Sequence, residues 1–129
     1  MTAKLTLRVD LGPDQAIGPG KIRLLEAIAA TGSISQAGRA LGMSYRRAWL
    51  LVDDLNHCFR TPVVAAQTGG SRGGGAALTP FGADLVAHYR ALERAAHRAG
   101  GRHLRALDAA RRAPKRRGAA KHQPVDADD

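Results

Sequence analysis

Residues 34–53 read ISQAGRALGMSYRRAWLLVD. Ser33 precedes the run and Ser44 interrupts it, both residue types that cap a helix by accepting from free N–H groups of its first turn. The spacing predicts a short helix over 34–41 and a second from Tyr45 to about Phe59. Gly42 falls at the joint, where a tight turn requires positive φ. Gly38 falls where the first helix passes closest to the second. Ala37, Leu41, Met43, Ala48 and Leu51 are sized to fill the wedge between them, and Ala48, Leu51, Val52 and Leu55 form the buried face of the second helix. Together these positions predict a helix-turn-helix. A plain αα-hairpin is the alternative, since glycine and small residues also serve ordinary helix pairs.

In a helix-turn-helix the second helix enters the DNA major groove by its N-terminal end. Here that end carries Ser44, Tyr45, Arg46 and Arg47, with Trp49 one turn on. Ser44 and the first-turn N–H groups suit a phosphate, helped by the helix dipole. Arg46 or Arg47 suits guanine O6 and N7, or phosphate. Tyr45 suits a phosphate or a thymine methyl. Ser33 and Ser35, at the start of the preceding helix, complete the set assigned to DNA with Arg72. The competing reading makes Arg46 and Arg47 a solvated face and Trp49 partly core.

Outward from this centre, Val63–Thr68 and Ala76–Leu78 read as two strands of a β-hairpin. The tip between them, GGSRGGG, has five glycines and the charge of Arg72. A bare backbone of this kind suits a phosphate rail or a minor groove, which makes the hairpin a wing. No Gly-Lys-Ser/Thr follows, so the tip is not a P-loop. An idle surface loop is the competing reading. Upstream, Leu5, Leu7, Val9 and Leu11 alternate with polar residues in the period of a half-buried strand, broken at Gly12-Pro13-Asp14. Gly18-Pro19 opens a helix with Ile17 and Ile22 as its staple. Ile22, Leu25, Ile28 and Ala29 form its apolar face, and Gly32 ends it.

Downstream, Thr79-Pro80 opens a long helix expected to end near Ala99, where Gly100-Gly101 interrupts it. Leu85, Tyr89, Leu92, Ala96 and Ala99 recur at spacings of a two-stranded seam, so these five are assigned to a dimer interface. Packing on its own domain is the alternative. Leu104 and Leu107 could support one more short helix. Residues 1–99 thus form a winged helix-turn-helix domain, with its dimer helix at about 80–99. Residues 100–129 are read as a basic, largely disordered tail with little to bury. The fold class is mostly α with a small β wing.

Composition agrees with this reading. Twenty Lys and Arg against eleven Asp and Glu give a net charge of +9 over 129 residues. Sixteen of the twenty are Arg, whose planar fork suits phosphate. The lone Cys58 excludes an internal disulfide. The five histidines lack metal-ligand spacing, and no carboxylates converge, so no enzyme, metal or cofactor is expected. No apolar run reaches membrane-spanning length, and the N-terminus has no signal-peptide core. A cytoplasmic location is the expectation.

Three segments carry a resemblance: GSISQ at 32–36, GMSYRRAW at 42–49 and TGGSRGGGAALT at 68–79. They resemble the DNA-binding domain of ModE-type molybdate-responsive regulators and, more remotely, the winged domain of LysR-type regulators. The resemblance covers about residues 4–99. It implies that Ser44 to Arg47 lie on a recognition helix, Arg72 on a wing tip, and residues 80–99 on a dimer-forming helix. Full-length ModE regulators continue into small β-barrels that bind molybdate, and 129 residues leave no length for one. The expectation is a homodimeric, sequence-specific transcriptional regulator of double-stranded DNA that lacks its own molybdate-binding domain, any molybdate response coming from a separate protein or from control of this protein's amount. The alternatives are a winged-helix interaction module partnering a sensor subunit, or a nucleoid-type DNA binder of low specificity.

Overall fold

The computed structural model describes residues 2–68 and 75–112. In chain order these form β1 (Val9–Gly12), β2 (Gln15–Ile17), α1 (Pro19–Thr31), α2 (Ile34–Ala40), α3 (Tyr45–Cys58), β3 (Val64–Gln67), β4 (Gly75–Leu78) and α4 (Pro80–Ala110). Two antiparallel hairpins, β1–β2 and β3–β4, flank the helices.

α1 is the central helix. Gly18 and Pro19 open it, and Gly32 closes it at φ +73° with its N–H on the Ile28 carbonyl. Ile22, Leu24, Leu25 and Ile28 are fully buried. Leu24 joins the face expected from periodicity, and Ala29 falls outside it in solvent. The buried arc is wider than one stripe because α1 packs against α2, α4, β2 and β4. Ile17 is buried beside Ile22, as a hydrophobic staple requires.

The N-terminal region departs from the expected single strand. Residues 3–9 do alternate, with Leu5, Leu7 and Val9 turned inward. Ladder pairing starts only at Val9, opposite Ile17, and an irregularity between Asp10 and Gly12 shifts the register. An extra residue there flips the alternation, so Leu11 is exposed rather than buried. The partner strand β2 had no signal of its own: three residues show no period.

The helix-turn-helix forms as its small residues require. Ser33 accepts from Gln36 N–H at 3.0 Å and Ser44 from Arg47 N–H at 3.1 Å. Gly42 sits at φ +74°. A Cβ on Gly38 would come within 2.8 Å of the Ala48 Cβ, so only glycine lets α2 and α3 close to this distance. Ala48, Val52 and Leu55 are buried, and Leu51 is half-buried. Lys21 is held on the other side of α3, with its ammonium donating to Asp54 and to the Ala16 carbonyl at 2.8 Å each.

The long helix corrects the expected boundary. α4 runs unbroken through Gly100 and Gly101 to Ala110, so residues 100–110 are helix and not tail. Two glycines cost about 1 kcal/mol each against alanine. That is offset by helix-forming neighbours and by the Ala3 N–H, which donates to both carboxylate oxygens of Asp108 at 2.9 Å. The extended N-terminal segment lies along this stretch, with Leu5 against Gly100. Residues 113–129 lie outside the described residues.

Candidate nucleic-acid interface

The first turn of α3 stands in solvent. Ser44, Tyr45, Arg46 and Arg47 are all exposed, while Ala48 beneath them is fully buried. The buried small residue sets the helix down on α2, and the Ser44 hydroxyl accepts from the Arg47 N–H at the helix start. Arg46 and Arg47 have no ion-pair partner among the described residues. Two guanidiniums beside the positive end of a helix dipole form an anion-seeking edge.

Trp49 is not core: it is 45% exposed, and its ring meets Tyr45 edge-on at 6.2 Å. The two aromatics line a trough of about 530 Å³ between α3 and the β3–β4 hairpin. Ser33 and Ser35 reach the same trough from the start of α2. So four of the residues assigned to DNA from sequence line one trough, and a fifth, Arg46, adjoins Tyr45 and Trp49 in a neighbouring recess. Ser35 also accepts from Arg39 at 3.2 Å, which brings a further guanidinium to this side. Arg72 lies outside the described residues.

Asn56 was missed by sequence reasoning. Its Oδ1 accepts from the Val63 and Val64 N–H groups at 2.7 and 3.0 Å, and its Nδ2 donates to the Val64 carbonyl at 3.1 Å. It pins the start of β3 to α3. The other strand is fixed to the α1–α2 turn, where Ala76 N–H donates to the Gly32 carbonyl at 2.9 Å. A Cβ on Gly75 would meet that carbonyl at 2.8 Å. Thr79 caps α4 and also donates to the Pro62 carbonyl at 2.7 Å. The hairpin is therefore set at a defined angle to α3. Apart from the Thr79 cap, no local pattern announces these bonds, because each joins segments distant in the chain or across a turn.

The expected seam on α4 divides. Tyr89 is buried in its own chain, 2% exposed, and its hydroxyl donates to the Leu7 carbonyl at 2.7 Å. Burial pushes that phenol up from its ordinary pKa, with the Glu93 charge adding to it. Leu85 packs against the same core. Leu92 is 50% exposed, Ala99 is exposed and Ala96 half-buried. The heptad assignment of Tyr89 to a second chain is corrected: α4 is rotated so that its Tyr89 side meets α1 and the N-terminal segment.

Three helices, a turn of this geometry and a pinned β-hairpin beside the second helix of the turn define a winged helix-turn-helix. Residues 20–83 match the bacterial regulatory helix-turn-helix protein family of lysR type. It is 43% identical over 91 residues to the molybdenum transport protein ModE of Azotobacter vinelandii, covering 70% of this chain and 33% of that protein. Against the molybdenum-pterin-binding protein MopB of Rhodobacter capsulatus it is 49% identical over 77 residues, 60% of this chain and 28% of that one. The DNA-binding transcriptional dual regulator ModE of Escherichia coli (strain K12) is 38% identical over 92 residues, 71% of this chain and 35% of that protein. The chain thus spans about a third of the length of the curated relatives it matches.

Proposed function

We propose that the chain is a sequence-specific DNA-binding transcriptional regulator of ModE type, acting in the cytoplasm as a homodimer. The observation that carries this is the exposed first turn of α3. The N-cap Ser44, and Arg46 and Arg47 with no ion-pair partner among the described residues, stand beside an aromatic-lined trough that ends at a pinned wing. Arg46 and Arg47 read base edges or phosphates, Ser33, Ser35 and Ser44 take phosphates, and Tyr45 and Trp49 pack on sugar or thymine methyl groups. Arg72, which lies between β3 and β4 in the sequence, is assigned a further contact to DNA backbone or minor groove. The family match along residues 20–83 and the likeness to a DNA-binding transcriptional regulator support the reading.

The dimer forms through the exposed side of α4 around Leu92, Ala96 and Ala99. Relatives carry molybdenum in their names, and we place the sensing of molybdate on a separate protein. Its contribution is read by comparing DNA affinity with and without molybdate in the presence of that partner.

The test is a fluorescence-anisotropy titration of the Arg46→Ala/Arg47→Ala protein against the site selected from a random duplex library. Each base-reading arginine contributes about 1–3 kcal/mol, and each phosphate contact adds about one to the salt slope. Wild-type affinity in the double variant would refute the assignment of α3.

A further inference from the structure

A second basic surface lies away from α3. A groove of about 700 Å³ runs between residues 4–6, the start of α1 and the middle of α4. Leu5 and Pro19 contribute apolar lining, and Lys4, Arg23, Arg94 and Arg98 contribute charge. Arg90 and Glu93 also line it, and Arg90 is bound by Glu26 and Glu93 at 2.7 Å, two carboxylates to one guanidinium, so this cluster offsets one of the four charges. The other four cations have no ion-pair partner among the described residues. A concave surface carrying four unpaired positive charges is held open by the backbone geometry of α4, and self-repulsion across it raises the molecule's energy until an anion arrives.

We propose that this groove binds an acidic polypeptide, and that the occupant is the chain's own segment 125–129, VDADD. Three carboxylates within four residues meet three arginines and a lysine. The reach matches. Arg98 lies twelve positions before Ala110 on α4, which is about 18 Å back along the axis. Fourteen residues, 111–124, separate the end of α4 from this segment, and a flexible linker of fourteen residues reaches about 20 Å on average. A tether whose mean length equals the span gives the highest effective concentration, in the millimolar range. Lys115, Arg116, Arg117 and Lys121 compete for the same carboxylates from within the segment. The groove has the advantage that its arginines stand on a formed helix and lose less freedom on pairing.

The other occupants fit less well. No Phe, Tyr or Trp side chain lines the groove, and the His97 imidazole is its single ring, so there is no platform on which successive nucleic-acid bases could stack. A two-fold contact with a second copy would set Arg94 and Arg98 against themselves. Arg94 is two positions and Arg98 six positions from Leu92, which at about 100° per residue puts both on the far side of α4 from the dimer seam. The groove is thus compatible with the proposed dimer and independent of DNA binding through α3.

Zero-length carbodiimide coupling of the full chain tests it without DNA. Lys4 is the amine in the groove, and the expected product joins it to Asp126, Asp128 or Asp129 within one chain, located by peptide mass spectrometry. The Arg94→Ala/Arg98→Ala variant keeps Lys4 and all three aspartates, and should lose the Lys4 product about tenfold. A fluorescent peptide of residues 123–129 should bind the Asp126→Asn/Asp128→Asn/Asp129→Asn variant and be excluded from wild type. Products confined to Lys115 and Lys121, or an undiminished Lys4 product in the arginine variant, would overturn the proposal. So would products formed only between chains in an isotope-mixed sample. About tenfold weaker random-duplex binding by the arginine variant would make the groove a phosphate surface instead.

Discussion

Gly38 and Asn56 do opposite jobs at the α2–α3–wing junction. Gly38 matters by what it lacks. The ideal Cβ distance of 2.8 Å to Ala48 leaves no flexible atom to move, so Gly38→Ala should cost about 1–3 kcal/mol by overpacking. Urea denaturation followed by circular dichroism measures it, and a variant as stable as wild type would mean that the helices separate freely. Asn56 matters by what it holds. Asn56→Ala strands two part-buried N–H groups, each worth about 1–3 kcal/mol when left unpaired. Faster hydrogen exchange at Val63 and Val64, with α1 unaffected, and weaker DNA binding are the expected results. Gly38 was legible in the sequence because the steric demand is local to a recognisable turn. Asn56 was not, since its partners lie seven and eight residues on and only the finished hairpin brings them to it.

At the scale of elements, α4 carries two consequences. Its helix passes through Gly101, whose added Cβ would meet only the tip of the Arg105 side chain at 3.3 Å. Gly101→Ala should therefore raise stability by about 0.5–1 kcal/mol. A drop in Tm would place a bend or break there. The second consequence is acid sensitivity. Arg90 donates to both oxygens of Glu26, tying α4 to α1 at 2.9 and 2.7 Å. That pairing holds the Glu26 carboxyl below its ordinary 4.5, against the opposing effect of burial. A depressed folded value means that the stabilisation is complete above pH 4.5 and fades as pH falls through the folded value. Both side chains are partly exposed, so the effect is small. Glu26→Gln should flatten the acid limb of the stability profile relative to wild type, and parallel profiles would remove the ion pair from the account.

The molecule as a whole carries +9, with Arg46 and Arg47 on one surface and Lys4, Arg23, Arg94 and Arg98 lining another. A dimer would present two α3 helices at once and gain by effective concentration on paired half-sites. Leu92 is exposed in the single chain, so Leu92→Asp should leave the fold intact. In a seam it would bury an uncompensated charge. Sedimentation should show a folded monomer, with DNA affinity reduced by well over a factor of ten. A wild-type protein that sediments as a monomer at micromolar concentration would refute the dimer. Tyr89→Phe is the companion: it loses the bond to Leu7 and costs stability, but leaves the oligomeric state unchanged, because Tyr89 serves its own core.

Short-range rules determined the caps at Ser33, Ser44 and Thr79, the left-handed Gly32 and Gly42, the close pass at Gly38, and the wing strands. Each of these depends on sterics or hydrogen bonds within a few residues or on one strand's alternation, so the residues themselves announce it. The tertiary structure decided what depends on distant partners. It extended α4 across Gly100-Gly101 by supporting it with the N-terminal segment, and it turned Tyr89 inward and left Leu92 out. It also drew Lys4, Arg23, Arg94 and Arg98 from three parts of the chain into one groove. A helical pattern states which residues share a face, but not which neighbour that face meets. That choice is made by the burial of the whole chain.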